Sequence, residues 1–247
     1  ILHTGLPRAL ESALFPSSSS IHGADMNDLL LRSARPEDLD ELVLLEKNVE
    51  STLPNRDMFA TDEKEFYEPI LRGQGHILLA ADDKGRLAGA SVIRFPDPDD
   101  PDNLGYELSL SRPELLKVRH LESVFVRPDM QGRKLAERLV RENMSLTASS
   151  GRTISFATVW PGNAASLKLH LRLGLLIRAF AFKYGGRPRF ILMSGGKTAP
   201  GAEPVFAEAM SLEKHCEYLA AGMAGTAVRP DPKTNSFLVE YLPLLMF

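Results

Sequence analysis

The alternation of apolar and polar positions divides the chain into short strands and amphipathic helices. LLLRSA at 29–34 reads as a short strand. Pro36 then sits where a helix can begin, and Leu39, Leu42, Val43 and Leu45 give that helix one apolar face. TDEKEFYEPILR predicts a second helix over 61–72, shortened or kinked by Pro69. HILLAADDKGRLAGASVIRF at 76–95 predicts two antiparallel strands joined at Asp82-Asp83-Lys84-Gly85. A Pro/Asp loop follows at 96–103, then a strand at 118–126 and a helix over 131–147. TISFATVW gives a strand at 153–160 and NAASLKLHLRL a helix at 163–173, ahead of a hairpin turning at Gly185-Gly186. KTAPGAEP at 197–204 has the composition of a linker. Beyond it the pattern predicts a helix near 207–221 and short strands at 225–229 and 236–242. The core order β-α-α-β-β-β-α-β-α-β-β predicts a mixed α+β sheet with interleaved helices.

The segment before this pattern is different in kind. Residues 1–27 lack a starting methionine, contain a serine run, and have their one apolar stretch interrupted by Glu11. They read as a flexible leader, an overlong start or a cloning scar, with Met26 as the native start.

Composition narrows the classes of function. The 247 residues, 44% hydrophobic and 25% charged, are those of a globular protein of about one to two domains. No apolar run approaches the ~18 to 20 residues of a spanning helix, so no membrane partner is expected. A net charge of −3 argues against a nucleic-acid binder that relies on a bulk positive field. Cys216 is the single cysteine, which suits a reducing, cytoplasmic setting and excludes a cysteine-rich metal site. The six histidines show no pair at metal-ligand spacing, so no metal is expected.

The chemistry concentrates in SVFVRPDMQGRKLAERL at 123–139, where a strand ends, a turn follows and a helix starts. The first N–H groups of a helix lack internal partners and carry partial positive charge, which suits a phosphate. Arg133 and Lys134 oppose the helix dipole there, at a cost of a few tenths of a kcal/mol unless an anion sits above them. An ordinary connection with solvated basic residues explains the segment equally well on physics alone.

The run LESVFVRPDMQGRKLA resembles motif A of the GNAT superfamily of N-acyltransferases, of the form Q/R-x-x-G-x-G/A. Gln131 matches its first position and Ala136 its last, while Lys134 stands where the family has glycine. A helical backbone would still let the Lys134 amide donate. WPGNAASLKLHLRLGL at 160–175 is similar to the later N-x-x-A/S-x-x-x-Y-x-x-x-G-F segment through Asn163, Ser166 and Gly174, with His170 at the tyrosine position. KYGGRPRFILMSG at 183–195 and RSARPEDLDEL at 32–42 look like the closing hairpin and the opening strand and helix of the same fold.

The resemblance implies a central, mostly antiparallel sheet flanked by helices over 28–196, with 197–247 as a linker and helix-strand extension. It implies acetyl-CoA as cosubstrate in a V-shaped cleft between the strands 118–126 and 153–160, and an amine acceptor. Phe125 and Val126 would bind the pantetheine amides through their backbone. Gln131, Gly132, Arg133, Lys134, Leu135 and Ala136 would hold the pyrophosphate, and Asn163 with Ser166 the pantetheine side. Glu122 matches the position of a general base, against the alternative of an ion pair with Arg119 or Lys117. Strict alternation sets Glu122 on the face of Val124 and Val126, opposite Ser123 and Phe125. His170 is the candidate acid for the leaving thiolate, against a packed histidine without a chemical role. A silent acyl-CoA-binding module is the competing function. Tyr67 and Phe66 are candidates for the amine pocket or the core, and the Asp97–Asp102 cluster reads as a solvated loop. The apolar tail LVEYLPLLMF packs on the core or serves a homodimer.

Overall fold

In the computed structural model, which describes residues 29–59 and 61–245, one ten-stranded sheet runs through the molecule. The expected leader lies outside the described residues. The chain runs through β1 (Leu30–Ser33), α1 (Leu39–Ser51), α2 (Lys64–Pro69), β2 (Gly75–Ala81), β3 (Leu87–Arg94) and the short α3 (Arg112–Leu115). It continues through β4 (Val118–Val126), α4 (Leu135–Leu146), β5 (Ile154–Val159), α5 (Ala164–Arg172), β6 (Leu175–Lys183) and β7 (Arg187–Ser194). β8 (Val205–Glu208), α6 (Leu212–Ala220), β9 (Met223–Pro230) and β10 (Phe237–Pro243) complete it. The spatial order is β1-β2-β3-β4-β5-β7-β6-β9-β10-β8.

Turn chemistry fixes the first hairpin. The Asp82 carboxylate accepts the backbone N–H of Lys84 and of Arg86, which folds the chain back between β2 and β3. The sheet then buries both faces. Leu42, Val49, Tyr67 and Ile70 of the α1–α2 layer pack on Ile77, Leu79, Ala90, Val92 and Phe125. On the opposite face Leu135 and Leu139 of α4 pack on Leu78, Ala80, Ala88 and Val126.

Two expected helices are shorter than their periodicity suggests. α4 starts at Leu135 rather than 131, because Gly132 and Lys134 both take left-handed backbone angles, with φ of 75° and 62°. α2 spans Lys64–Pro69 and passes into a wide π-type turn over Ile70–Gln74, ended by Gly73 at φ 108°. The helix expected over 207–221 is divided: Val205–Glu208 pairs with β10 as an edge strand, and the helix begins at Leu212. Pairing with a distant strand overrides local propensity there.

The last four elements extend the sheet rather than standing apart from it. β9 joins β6 at one register pair, Ile177 with Gly225. His215 of α6 locks this half: its Nε2 lies 3.0 Å from the Ala209 carbonyl, and the Tyr241 hydroxyl of β10 lies 2.9 Å from its Nδ1. The carbonyl can only accept, so Nε2 carries the ring proton and Nδ1 accepts from the tyrosine. Cys216 beside it is exposed, so the two form no dyad.

Candidate active site

All strand pairs are antiparallel except β4 with β5, which pair in parallel only at Val118–Ile154, Arg119–Ser155 and His120–Phe156. Beyond His120 the two strands separate, and a wedge opens between them. The β4 edge from Leu121 to Val126 pairs with β3 on one side and has no strand on the other. A cleft of about 460 Å³ fills the wedge and continues to the start of α4. It is lined by Glu122, Phe125, Val126, Gln131, Gly132, Lys134, Leu135, Ala136, Asn163, Ser166 and His170. The fold thus collects eleven of the twelve residues that the sequence singled out. Arg133 is exposed and does not line the cleft.

The turn at the mouth of α4 is built for close approach. Its Gly132 has no atom within 4 Å of where a Cβ would stand. The Gln131 side chain donates to the Val126 carbonyl at 3.0 Å, tying the turn to the end of β4. Lys134 corrects the expectation of a helical backbone at this position. It sits at φ 62°, ψ 14°, a conformation that costs a non-glycine residue roughly 1 kcal/mol. The left-handed residue turns the chain into α4, whose first amides lack an intrahelical partner and whose first residues, Leu135 and Ala136, line the cleft.

At the start of α5, Asn163 Oδ1 accepts the Ser166 amide at 3.0 Å and caps the helix. One lone pair of its side-chain oxygen is taken by the cap, and its amide NH2 can donate to a ligand. His170 is buried, and its Nδ1 donates to the Ser166 carbonyl at 2.9 Å. Burial pushes its pKa down, so at neutral pH the ring is uncharged and its one proton is held by the helix.

At the opposite end, alternation along β4 fails at one residue. β3 pairs Val92 with Ser123 and Ile93 with Leu121, which leaves Glu122 as a bulge. The expected face of Glu122 is thereby corrected. It lies with Ser123 and Phe125 on the α1–α2 side, while Val124 and Leu121 pack toward α4 and β5. Its ion-pair partner is also different from those expected. Arg119 turns away to Ser155, Thr147 and the Met144 carbonyl, and Arg94 takes the carboxylate, with Nε at 3.2 Å from Oε2. Arg94 reaches Asp100 Oδ2 at 2.5 Å with its Nη1, so one member of the expected solvated loop belongs to this network.

His120 completes it. Nε2 accepts the buried Leu104 amide at 3.1 Å, and Nδ1 lies between two charged groups, 3.3 Å from Glu122 Oε2 and 3.1 Å from Arg94 Nη2. With Nε2 accepting, the ring proton sits on Nδ1 and is given to the carboxylate. Burial alone would raise the Glu122 pKa, but His120 and then Arg94 outweigh it and hold the carboxyl below its ordinary value. Asp62, in the loop ahead of α2, goes the other way. Burial, then the charge of Glu122, push it up to about 7. The Tyr184 hydroxyl lies 3.1 Å from Thr158 Oγ1 on the β5 wall of the cleft. Sequence reasoning missed Arg94, His120, Asp62 and Tyr184, which no local motif marks. The inserted residue of β4 leaves no trace in the alternation pattern either.

Among the described residues no group of His, Cys, Asp and Glu is placed to hold a metal ion, and no helix is long and apolar enough to cross a membrane. The sequence profile of the Acetyltransferase (GNAT) family matches residues 39–175. No curated protein matches the chain in sequence. Among solved structures, the fold is similar to that of the Drosophila melanogaster polyamine N-acetyltransferase, an enzyme that forms N-acetylagmatine. That pair shares 16% identity with a TM-score of 0.50, over 67% of this chain and 99% of the other. A GCN5-related N-acetyltransferase from Kribbella flavida gives 16% identity and a TM-score of 0.50, over 68% of this chain and 98% of that one. A chain of the NatC complex bound to Gag peptide and CoA gives 14% and 0.51, over 69% and 99%. At these identities the likeness is one of fold.

Proposed function

The chain belongs to the acetyltransferase (GNAT) family, and on that premise we propose that it passes the acetyl group of acetyl-CoA directly to a primary amine held at the Glu122 end of the cleft. The observation that carries this reading is the parting of β4 from β5 beside the start of α4. An open strand edge suits the pantetheine amides, which can add to it as a further strand does, and Phe125 and Val126 supply that edge. The amides of Gln131, Gly132, Arg133, Lys134, Leu135 and Ala136 suit the pyrophosphate. Asn163 and Ser166 border the pantetheine side.

Transfer needs no covalent enzyme intermediate. The amine lone pair attacks the thioester carbonyl carbon, a C–N bond forms, and the C–S bond breaks with its electron pair on sulfur. A backbone N–H of β4 supports the developing oxyanion. Glu122 meets the acceptor ammonium as a fixed anion and takes part in its deprotonation. Its low pKa favours the anchoring part of that role, since a carboxylate so well paired gains little by holding a proton. Together with Asp62 and Asp100 it makes this end acidic, which favours a cationic acceptor over a neutral one. His170 enters as a neutral imidazole, so any proton it gives the thiolate would first have to reach Nε2.

Calorimetry with acetyl-CoA, together with thiol release over a panel of primary amines, tests the reading. Binding followed by amine-dependent thiol release supports it. Binding without release for any amine would instead favour a silent acyl-CoA-binding module, and absence of binding would end both readings.

A further inference from the structure

Three buried side-chain polar atoms among the described residues have no hydrogen bond of acceptable geometry: Glu46 Oε1, Tyr67 Oη and Ser123 Oγ. They are not scattered. The Tyr67 hydroxyl has both Glu46 and Ser123 within interaction reach. Glu46 comes from α1, Tyr67 from α2 and Ser123 from β4, so three elements bring their polar groups to the tyrosine hydroxyl. Ser123 follows the bulged Glu122 and lines the cleft, whereas Glu46 and Tyr67 are wholly buried behind it. A buried polar group left unsatisfied is costly, so three gathered together call for a reason other than packing.

We propose that Ser123, Tyr67 and Glu46 form a relay that takes the proton lost by the acceptor ammonium from the cleft wall to the Glu46 carboxylate. The inference rests on the amine-acceptor reading above and adds where the proton goes. Glu122 holds the ammonium beside Ser123. One ammonium proton passes to Ser123 Oγ as the serine proton moves to Tyr67 Oη and the tyrosine proton to Glu46. The free amine then attacks, and the second nitrogen proton goes to the departing sulfur. The sum is ammonium, thioester and Glu46 carboxylate giving amide, thiol and Glu46 carboxylic acid. Glu46 discharges to solvent along the same hydroxyls once the amide leaves.

The surroundings of Glu46 suit the task. Burial raises its pKa, Tyr67 and the Asp62 amide lower it in part, and the Asp62 and Glu50 charges raise it again, leaving it at about 7. The group is thus divided between acid and base near neutrality, where a proton acceptor works best. Glu122, held ionised by Arg94 and His120, does not share that property.

The test is the pH profile of kcat and KM with acetyl-CoA and the amines of the panel that release thiol, for wild type, E46Q, Y67F, S123A, D62N and E122Q. Wild-type kcat should rise with pH through an apparent pKa near 7, and E46Q should lose that limb. Y67F and S123A should lower kcat by about tenfold or more at pH 7 and recover toward pH 9.5, where free amine needs no relay, with the KM for acetyl-CoA unchanged. E122Q should raise the amine KM and keep the limb. A limb that survives in E46Q, or one abolished by D62N alone, overturns the relay. So does an equal loss at every pH in Y67F and S123A proteins that melt like wild type. Infrared difference spectroscopy of the cofactor-free protein gives a readout independent of turnover. Two carboxyl signals should titrate near neutrality, one lost in D62N and the other lost in E46Q and shifted in Y67F, and a protein whose near-neutral signals are all unchanged by E46Q rules the relay out. If the wild type turns over no amine while the Glu46 signal is present, the acceptor reading has failed and the relay loses its reaction with it.

Discussion

At the residue scale, two side chains hold energetically unfavourable positions, and each predicts a measurable response. Lys134 occupies a left-handed conformation that glycine adopts freely. Lys134→Gly should therefore raise stability by up to about 1 kcal/mol, less the extra chain entropy that glycine gives the unfolded state. Calorimetric melting checks this, and acetyl-CoA binding should be retained because the amide stays in place. Glu46 is fully buried with its pKa raised to about 7. Unfolded, it titrates near its ordinary 4.5, so between those values the folded state holds more protons and stability falls as pH rises. Above pH 7 the full penalty is present, at most roughly 3 kcal/mol. Glu46→Gln should thus stabilise the protein at pH 8 and change little at pH 4, which parallel melts at the two pH values would reveal. Asp62 titrates in the same range and its charge acts on Glu46, so the same melts on D62N and on the double variant separate the two contributions.

At the element scale, the β6–β9 junction is the narrowest connection in the sheet, with one register pair. It depends on the small size of Gly225, where a Cβ would stand 2.7 Å from Ile177 Cδ1 and 2.9 Å from its Cβ. Gly225→Val should push β9 from β6 and cost about 1–3 kcal/mol through overpacking, since both partners are strand-bound and cannot both yield. Hydrogen exchange should then rise first in β9 and β10, before the β2–β4 half. A lower melting temperature with unchanged β9 protection would instead mean that the strain is absorbed within α5 or α6. The same scale explains the cleft: β4 has two strand neighbours in nine residues, pairing β5 over Val118–His120 and β3 from His120 to Val126 around the bulged Glu122, so its β5-side edge is open after His120.

At the scale of the whole molecule, the cleft joins groups from both faces and both halves of the chain, so ligand binding and global stability should be coupled. Acetyl-CoA at one hundred times its Kd should raise the unfolding free energy by about 2.7 kcal/mol, seen as a shift in melting temperature, whereas free acetate should not. Much of this organisation was legible in the sequence. Strand 118–126 matched the structure residue for residue, and the core element order and the turn between that strand and the following helix followed from alternation, helix periodicity and turn residues. These are local properties, set by side-chain period and backbone preference, and a single sequence carries them. What only the tertiary structure decided depends on contacts across the chain. The bulge that turns Glu122 to the other face comes from its pairing with β3. The Arg94 and Asp100 partners come from a distant strand and loop, and the edge strand at 205–208 exists because β10 returns beside it. Lys134's left-handed backbone follows from joining the turn to α4, and Glu46, Tyr67 and Ser123 come together only when α1 and α2 close over β4. Local pattern determines which elements form, whereas register and burial decide which charges meet and which of them hold a proton.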